Sequence, residues 1–180
     1  MKKSALKISF IAMMSCFICI CAQIAIPFAG VPFTLQTFAV AFCGYVSGKY
    51  HGSLACMIYL SLGAIGLPVF AGFGGSLAFL FGPTGGFLFG FLFLAFFCGL
   101  SSVKSSALFS FSVSFIGLLI CHLFGIFWFS YVSNISFIQS FLISSLPFLL
   151  KDILSLLFAR FLFYKIHQRL PRFLFFRNKT

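Results

Sequence analysis

The sequence predicts an all-α integral membrane protein: one bundle of six transmembrane helices over residues 1–180, with both termini cytoplasmic. Three observations predict it. The chain is 62% hydrophobic and 7% charged with a mean hydropathy of +1.17, whereas a soluble domain carries about 25% charged residues. Its 180 residues divide into apolar stretches of about 20 residues each with short links, which leaves no room for a soluble domain. Finally, eleven of its twelve Lys and Arg residues fall on one side of those stretches.

The first span covers 6–26, and Pro27 ends it. Lys2, Lys3 and Lys7 ahead of an apolar run to Cys21 have the outline of a signal peptide. Ile18-Cys19-Ile20 lacks the small residue of a lipoprotein cleavage site, and the chain downstream is equally apolar, so an uncleaved span is expected. Ala29, Gly30 and Pro32 turn the chain into a second span, 33–47, which leads to Gly48, Lys49, Tyr50 and His51. The third span covers 53–67 and stops at Pro68. The fourth, 83–100, opens on Pro83, a residue suited to a first helical turn. A link around Lys104 precedes the fifth, 107–131, and 132–136 is polar enough to turn. The apolar region 137–166 is too long for one span and contains Pro147. It divides best into a short outer piece and a sixth span, 147–166, long enough at about 1.5 Å per residue to cross a core of about 30 Å.

With the N-terminus inside, Lys2, Lys3, Lys7, Lys49, Lys104, Arg160, Lys165, Arg169, Arg172, Arg177 and Lys179 are all cytoplasmic, and the opposite links carry no cation. The net charge of +11 thus sets topology and meets anionic lipid, chiefly through a basic cytoplasmic tail at 166–180; no nucleic-acid partner is expected. All seven cysteines lie in apolar segments. Cys16-x-x-Cys19 has metal or redox spacing, but with no second ligand pair it reads as packing, and no metal or cofactor is expected. There is no P-loop, so ATP use would come from partners. One acid and three scattered histidines, His51, His122 and His167, assemble no enzyme; His122 reads as a packing or hydrogen-bonding residue within the fifth span.

Two features stand out from the apolar background. Residues 63–90 hold nine of the sixteen glycines and two of the six prolines, with no charge. Broken backbone in hydrocarbon is tolerated only where it is buried in protein or lines a cavity. The stretch is therefore either a tight or re-entrant connection, or a ligand cavity where glycine lets a ligand approach the backbone. The other feature is Lys151 with Asp152, the one acid in the chain, just past Pro147. Ionisable groups at that depth mark substrate paths. Adjacent helical residues point about 100° apart, so the two are not natural partners and Asp152 wants donors from elsewhere.

Taken together, these residues resemble the BioY family, the substrate-binding (S) components of energy-coupling-factor biotin transporters. Gln23-Ile24-Ala25-Ile26-Pro27 and Val31-Pro32-Phe33-Thr34-Leu35-Gln36-Thr37 are similar to the family's first-loop signature. Tyr59, the run Gly63-Ala64-Ile65-Gly66-Leu67-Pro68-Val69-Phe70-Ala71-Gly72 and then Gly82-Pro83-Thr84-Gly85-Gly86-Phe87 resemble its most characteristic block. Pro147-Phe148 and Asp152 resemble its final-helix motif.

The resemblance implies a six-helix S-component bundle in the cell membrane with an outward-opening cavity. It also implies a transmembrane coupling subunit and a pair of cytoplasmic ATPases as partners. Small residues on the first helix dock that subunit, here Ser15-x-x-x-Cys19, a spacing that fits tight packing of the first span within the bundle equally well. Biotin offers a flat ureido group, a sulfur ring, an apolar stem and a carboxylate. Asp152 would accept ureido N–H groups, with Thr34, Gln36 and Thr84 as further polar contacts. Phe33, Phe70 and Phe73 would cover the ring and stem, and Gly74 and Gly75 would allow close approach. The chain departs from the family at Lys151, where a Gly is usual, and at Ser155, where a Lys is usual, so the ligand's basic partner has moved to Lys151 or given way to hydroxyl and backbone donors. Biotin uptake is the expected function. Another small vitamin-like acid is the alternative ligand, and operation with or without ATP-driven partners is left open.

Overall fold

The structure, a computed structural model, describes residues 2–27, 31–101 and 105–169. The turn at Ala29 and Gly30, the link residue Lys104 and the tail beyond Arg169 lie outside the described residues.

Helix α1 spans Lys2–Gln23. It ends before the expected Ile26, because Ala25–Ile26 forms a short strand, β1, antiparallel to β2, Phe33–Thr34, with Ala25 opposite Thr34. A residue preceding proline is held extended, as Ile26 is by Pro27, and the pairing satisfies backbone groups that helices would otherwise have used. The second helix accordingly starts at Gln36 and not at Phe33.

Helix α2, Gln36–Ala64, carries the expected second and third spans and is broken at Gly48, whose φ of 79° is open to glycine. Two contacts show that the chain doubles back there. Gln36 Nε2 donates to the Tyr59 hydroxyl at 2.5 Å, and a Cβ on Gly52 would lie 2.8 Å from the Gly44 Cα. On a straight helix, residues 23 apart would be about 35 Å apart. The reversal uses one residue, so the expected link through His51 is helical. The first limb packs on the helix that follows the glycine stretch without an intervening side chain: a Cβ on Gly44 would strike the Ala95 carbonyl oxygen. Such close approach is how helices associate in lipid.

A 3₁₀ turn at Ala71–Phe73 and a one-turn helix α3, Leu77–Leu80, lead into α4, Gly85–Leu100. Helix α5, Ala107–Ser133, is capped by the Ser106 side chain and stopped by Asn134 in the left-handed region, φ 52°. Helix α6, Phe137–Ser144, opens with a reciprocal Ser136–Gln139 cap. It meets α7, Leu146–Arg169, at a bend of 49°. Pro147 sits in the first turn of α7, where its missing N–H is harmless. The division into a short outer piece and a long last helix therefore holds.

Ser4–Gln23 and Ala107–Ser133 are long and apolar enough to cross a membrane, as is the bent α6–α7 pair taken as one broken span, while α4 is shorter. The core runs continuously through Ile18, Val40, Cys43, Tyr59, Leu94, Leu118 and Leu156. The outside is also apolar: Ile8, Leu108, Phe127, Ile138 and Leu150 are exposed. A surface of this kind suits hydrocarbon and not water.

Candidate functional site

A cavity opens between the starts of α2, α4 and α7 and the middle of α5. Its wall is mostly apolar, built from Phe79, Phe87, Leu88, Phe91, Leu118 and Phe148. It lies at the end of the bundle opposite Lys49 and the contact of Arg160 Nη2 with the Ser105 carbonyl at 3.2 Å.

A chain of polar contacts runs along one side. Asp152, on α7, is buried, with 5% of its surface exposed. Its Oδ2 lies 3.3 Å from His122 Nε2 on α5, and its Oδ1 lies 2.6 Å from Lys151 Nζ. The same Lys151 ammonium donates to the Thr34 carbonyl at 3.0 Å and sits 6.0 Å from the Phe148 ring centre. His122 Nδ1 is 2.7 Å from Ser145 Oγ, the residue at the α6–α7 bend. A buried carboxylate is held here by two cationic or polar neighbours, as burial requires. The expectation that Lys151 and Asp152 would not pair is corrected: the four-carbon lysine stem bends back across the 100° that separates their backbones. His122, expected to bond within its own helix, instead bonds across to α7 and to the bend.

The remaining polar wall forms at the start of α2. The Thr34 hydroxyl accepts from the Gln36 backbone N–H at 3.3 Å and donates to Gln36 Oε1 at 2.9 Å, while Gln36 Nε2 reaches Tyr59. Thr84 lines the cavity just before α4. Thr34, Gln36, Thr84, Lys151 and Asp152 are thus brought together around one space.

The other expected contacts stand elsewhere. Phe70 is fully buried one layer behind the wall, edge-on to Tyr59 at 5.4 Å and stacked on Phe79 at 5.2 Å. Phe73 is 71% exposed at the loop tip. Gly74 and Gly75 face their own loop: a Cβ there would strike the Phe79 ring and the Leu67 carbonyl oxygen respectively. Phe33 stacks on Phe148 from behind, 4.3 Å between centres. Ser155 borders a separate lateral groove with Phe38, Leu154 and Phe158. On α1, Ser15 is buried at 1% exposure, and Cys19 is half-buried and packs against the core.

Sequence reasoning missed His122, Ser145 and Gln23. The rule that selected Asp152, an ionisable group deep in an apolar span, selects His122 equally. Gln23 clamps the glycine stretch, donating to the Pro68 and Phe70 carbonyls at 3.3 and 3.1 Å and accepting from the Phe73 N–H at 3.0 Å.

A family model described as the BioY family matches residues 1–172. The chain belongs to the BioY family. Among BioY relatives, it is 43% identical over 140 residues to the biotin transporter BioY of Thermotoga maritima, covering 77% of this chain and 82% of the relative. It is 38% identical over 149 residues to the probable biotin transporter BioY of Pyrococcus horikoshii, covering 83% and 88%. In three dimensions it is similar to the S-component for biotin from an ECF-type ABC transporter. That match has a TM-score of 0.84 at 28% identity and covers 98% of each chain. The likeness therefore extends across nearly the whole chain.

Proposed function

We propose that this chain captures biotin in the cavity bounded by Asp152, Lys151, Thr34, Gln36 and Thr84. It then passes the vitamin across the cell membrane as the S component of an ECF-type transporter, with ATP hydrolysis supplied by partner subunits. The observation that carries this reading is the buried Asp152 carboxylate beside the Lys151 ammonium on the wall of a mostly apolar cavity. A ligand with N–H donors, a carbonyl acceptor and an apolar body satisfies both groups and the wall together. The family membership and the likeness to a biotin S-component support the choice of biotin. Lys151 takes over the basic contact, since it lines the cavity as well as the lateral groove, whereas Ser155 borders the groove alone.

In this reading the chain crosses the membrane six times, through α1, the two limbs of α2, α4, α5 and the α6–α7 pair. Both termini and the Gly48 reversal are cytoplasmic, in agreement with the sorting of Lys and Arg. The face α1 offers a coupling subunit is the exposed small-residue row Ala5, Ser9, Ala12 and Cys16, in place of Ser15 and Cys19.

Equilibrium binding of biotin to the purified protein tests the reading. Saturable binding that a second vitamin-like acid fails to compete is expected; absence of binding by folded protein would overturn it. In the same preparation, Ala12→Leu with Cys16→Leu should bind biotin as wild type does yet lose energised uptake in cells.

A further inference from the structure

We infer that His122 is a positioning residue for the ligand: it fixes the Asp152 carboxylate so that one oxygen is presented to a ligand N–H. The inference rests on the biotin reading above and adds a residue and a role to it.

The geometry assigns the roles atom by atom. His122 Nε2 faces Asp152 Oδ2 at 3.3 Å, and a carboxylate oxygen only accepts, so the ring proton sits on Nε2. Nδ1 faces the Ser145 hydroxyl at 2.7 Å, a group that can donate to it or accept from it. On the other side, Asp152 Oδ1 is buried and ion-paired with Lys151 Nζ at 2.6 Å. The same ammonium, which carries three donors, also reaches the Thr34 carbonyl at 3.0 Å. A carboxylate oxygen has two lone pairs, so Oδ1 has room to accept a ureido N–H beside the lysine.

His122 itself is 4% exposed, and its ring stands edge-on to Phe87 at 5.8 Å between centres. Packing fixes the ring, the ring fixes Oδ2, and Oδ2 fixes the plane of the carboxylate. Without the Nε2–H, the carboxylate would turn both oxygens toward Lys151 and lose the directed lone pair. Ser145 extends the same chain to the α6–α7 bend, so the orientation of Asp152 is tied to the geometry of that bend.

Biotin binding to purified full-length variants in detergent tests this. His122→Leu should weaken binding about tenfold, as expected for loss of a hydrogen bond to a charged group. His122→Gln, which keeps a donor at the Nε2 position, should recover affinity to within about threefold of wild type. In an Asp152→Asn background, His122→Leu should add less than about twofold, because the two residues act as one unit. Ser145→Ala leaves the packing almost unchanged and should cost about threefold on its own, so it reads the same chain if His122→Leu fails to fold. Wild-type affinity in folded His122→Leu or in Ser145→Ala, failure of His122→Gln to recover binding, or losses that multiply in the double variant would each overturn the inference. Failure of the wild-type protein to bind biotin would instead overturn the reading beneath it, so the two are distinguished.

Discussion

The cluster around Asp152 and the glycine stretch from 63 to 90 both violate the apolar pattern of the chain, and the structure resolves them in opposite ways. Around Asp152, costly side chains are kept and are spread over α5, α7 and the start of α2, with a cavity beside them. In the glycine stretch the exposed backbone is used up locally. The Phe70 N–H reaches the Gly74 carbonyl at 2.8 Å, the Leu67 N–H reaches the Leu62 carbonyl at 3.1 Å, and Gln23 takes the Pro68 and Phe70 carbonyls and the Phe73 N–H. Ala71, Phe79 and Thr84 are the members of that stretch before α4 that reach the cavity wall. The two sequence-level alternatives for the glycines are therefore both met in part: most of the stretch is a tight connection, and a few of its residues line the pocket. A polar group buried beside a cavity marks binding, whereas a broken backbone marks only a place where the chain must satisfy itself.

Substitutions that separate affinity from stability sharpen this contrast. The largest effect on binding is expected at Asp152→Asn, which keeps the shape but places an amide N–H where an acceptor is needed. Biotin affinity should fall at least tenfold, to judge from the cost of leaving a buried partner unmatched. Titration calorimetry alongside thermal unfolding checks it, and wild-type affinity in the folded variant would remove Asp152 from the site.

Gly75→Ala should show the reverse pattern. Its methyl group would run into the rigid Leu67 carbonyl, so stability should drop by about 1–3 kcal/mol, as for overpacking. The folded fraction should still bind biotin as wild type does. A loss of affinity at unchanged stability would restore the glycine stretch as a direct ligand surface. The smallest effect belongs to Ser155→Ala, whose hydroxyl borders the lateral groove and not the cavity. Affinity should stay within about twofold, the range of substitutions that break no buried network. A tenfold loss there would move the binding site to the outer side of α7.

Much of this protein was legible in its residues alone. A membrane location and a mostly helical fold follow from apolar run length, a local property that each segment carries without its neighbours. Pro147 announced the α6–α7 break, and Asp152 pointed to the cavity that it lines, because a lone acid in an apolar helix has few structural uses. The motif resemblance named the family, and the family model and the fold agree with it. Only the tertiary structure could show that His122 faces Asp152, since its partners lie on elements 23 and 30 residues further along the chain. Neither could spacing tell that Phe70 is one layer behind the wall, that Phe73 points outward, or that Ser15 is buried while Ala12 and Cys16 are exposed. Sequence determines how far each segment extends and what it can dissolve in. Which face of a helix or loop meets the cavity depends on how the other helices pack against it, and those contacts join residues that the chain itself keeps far apart.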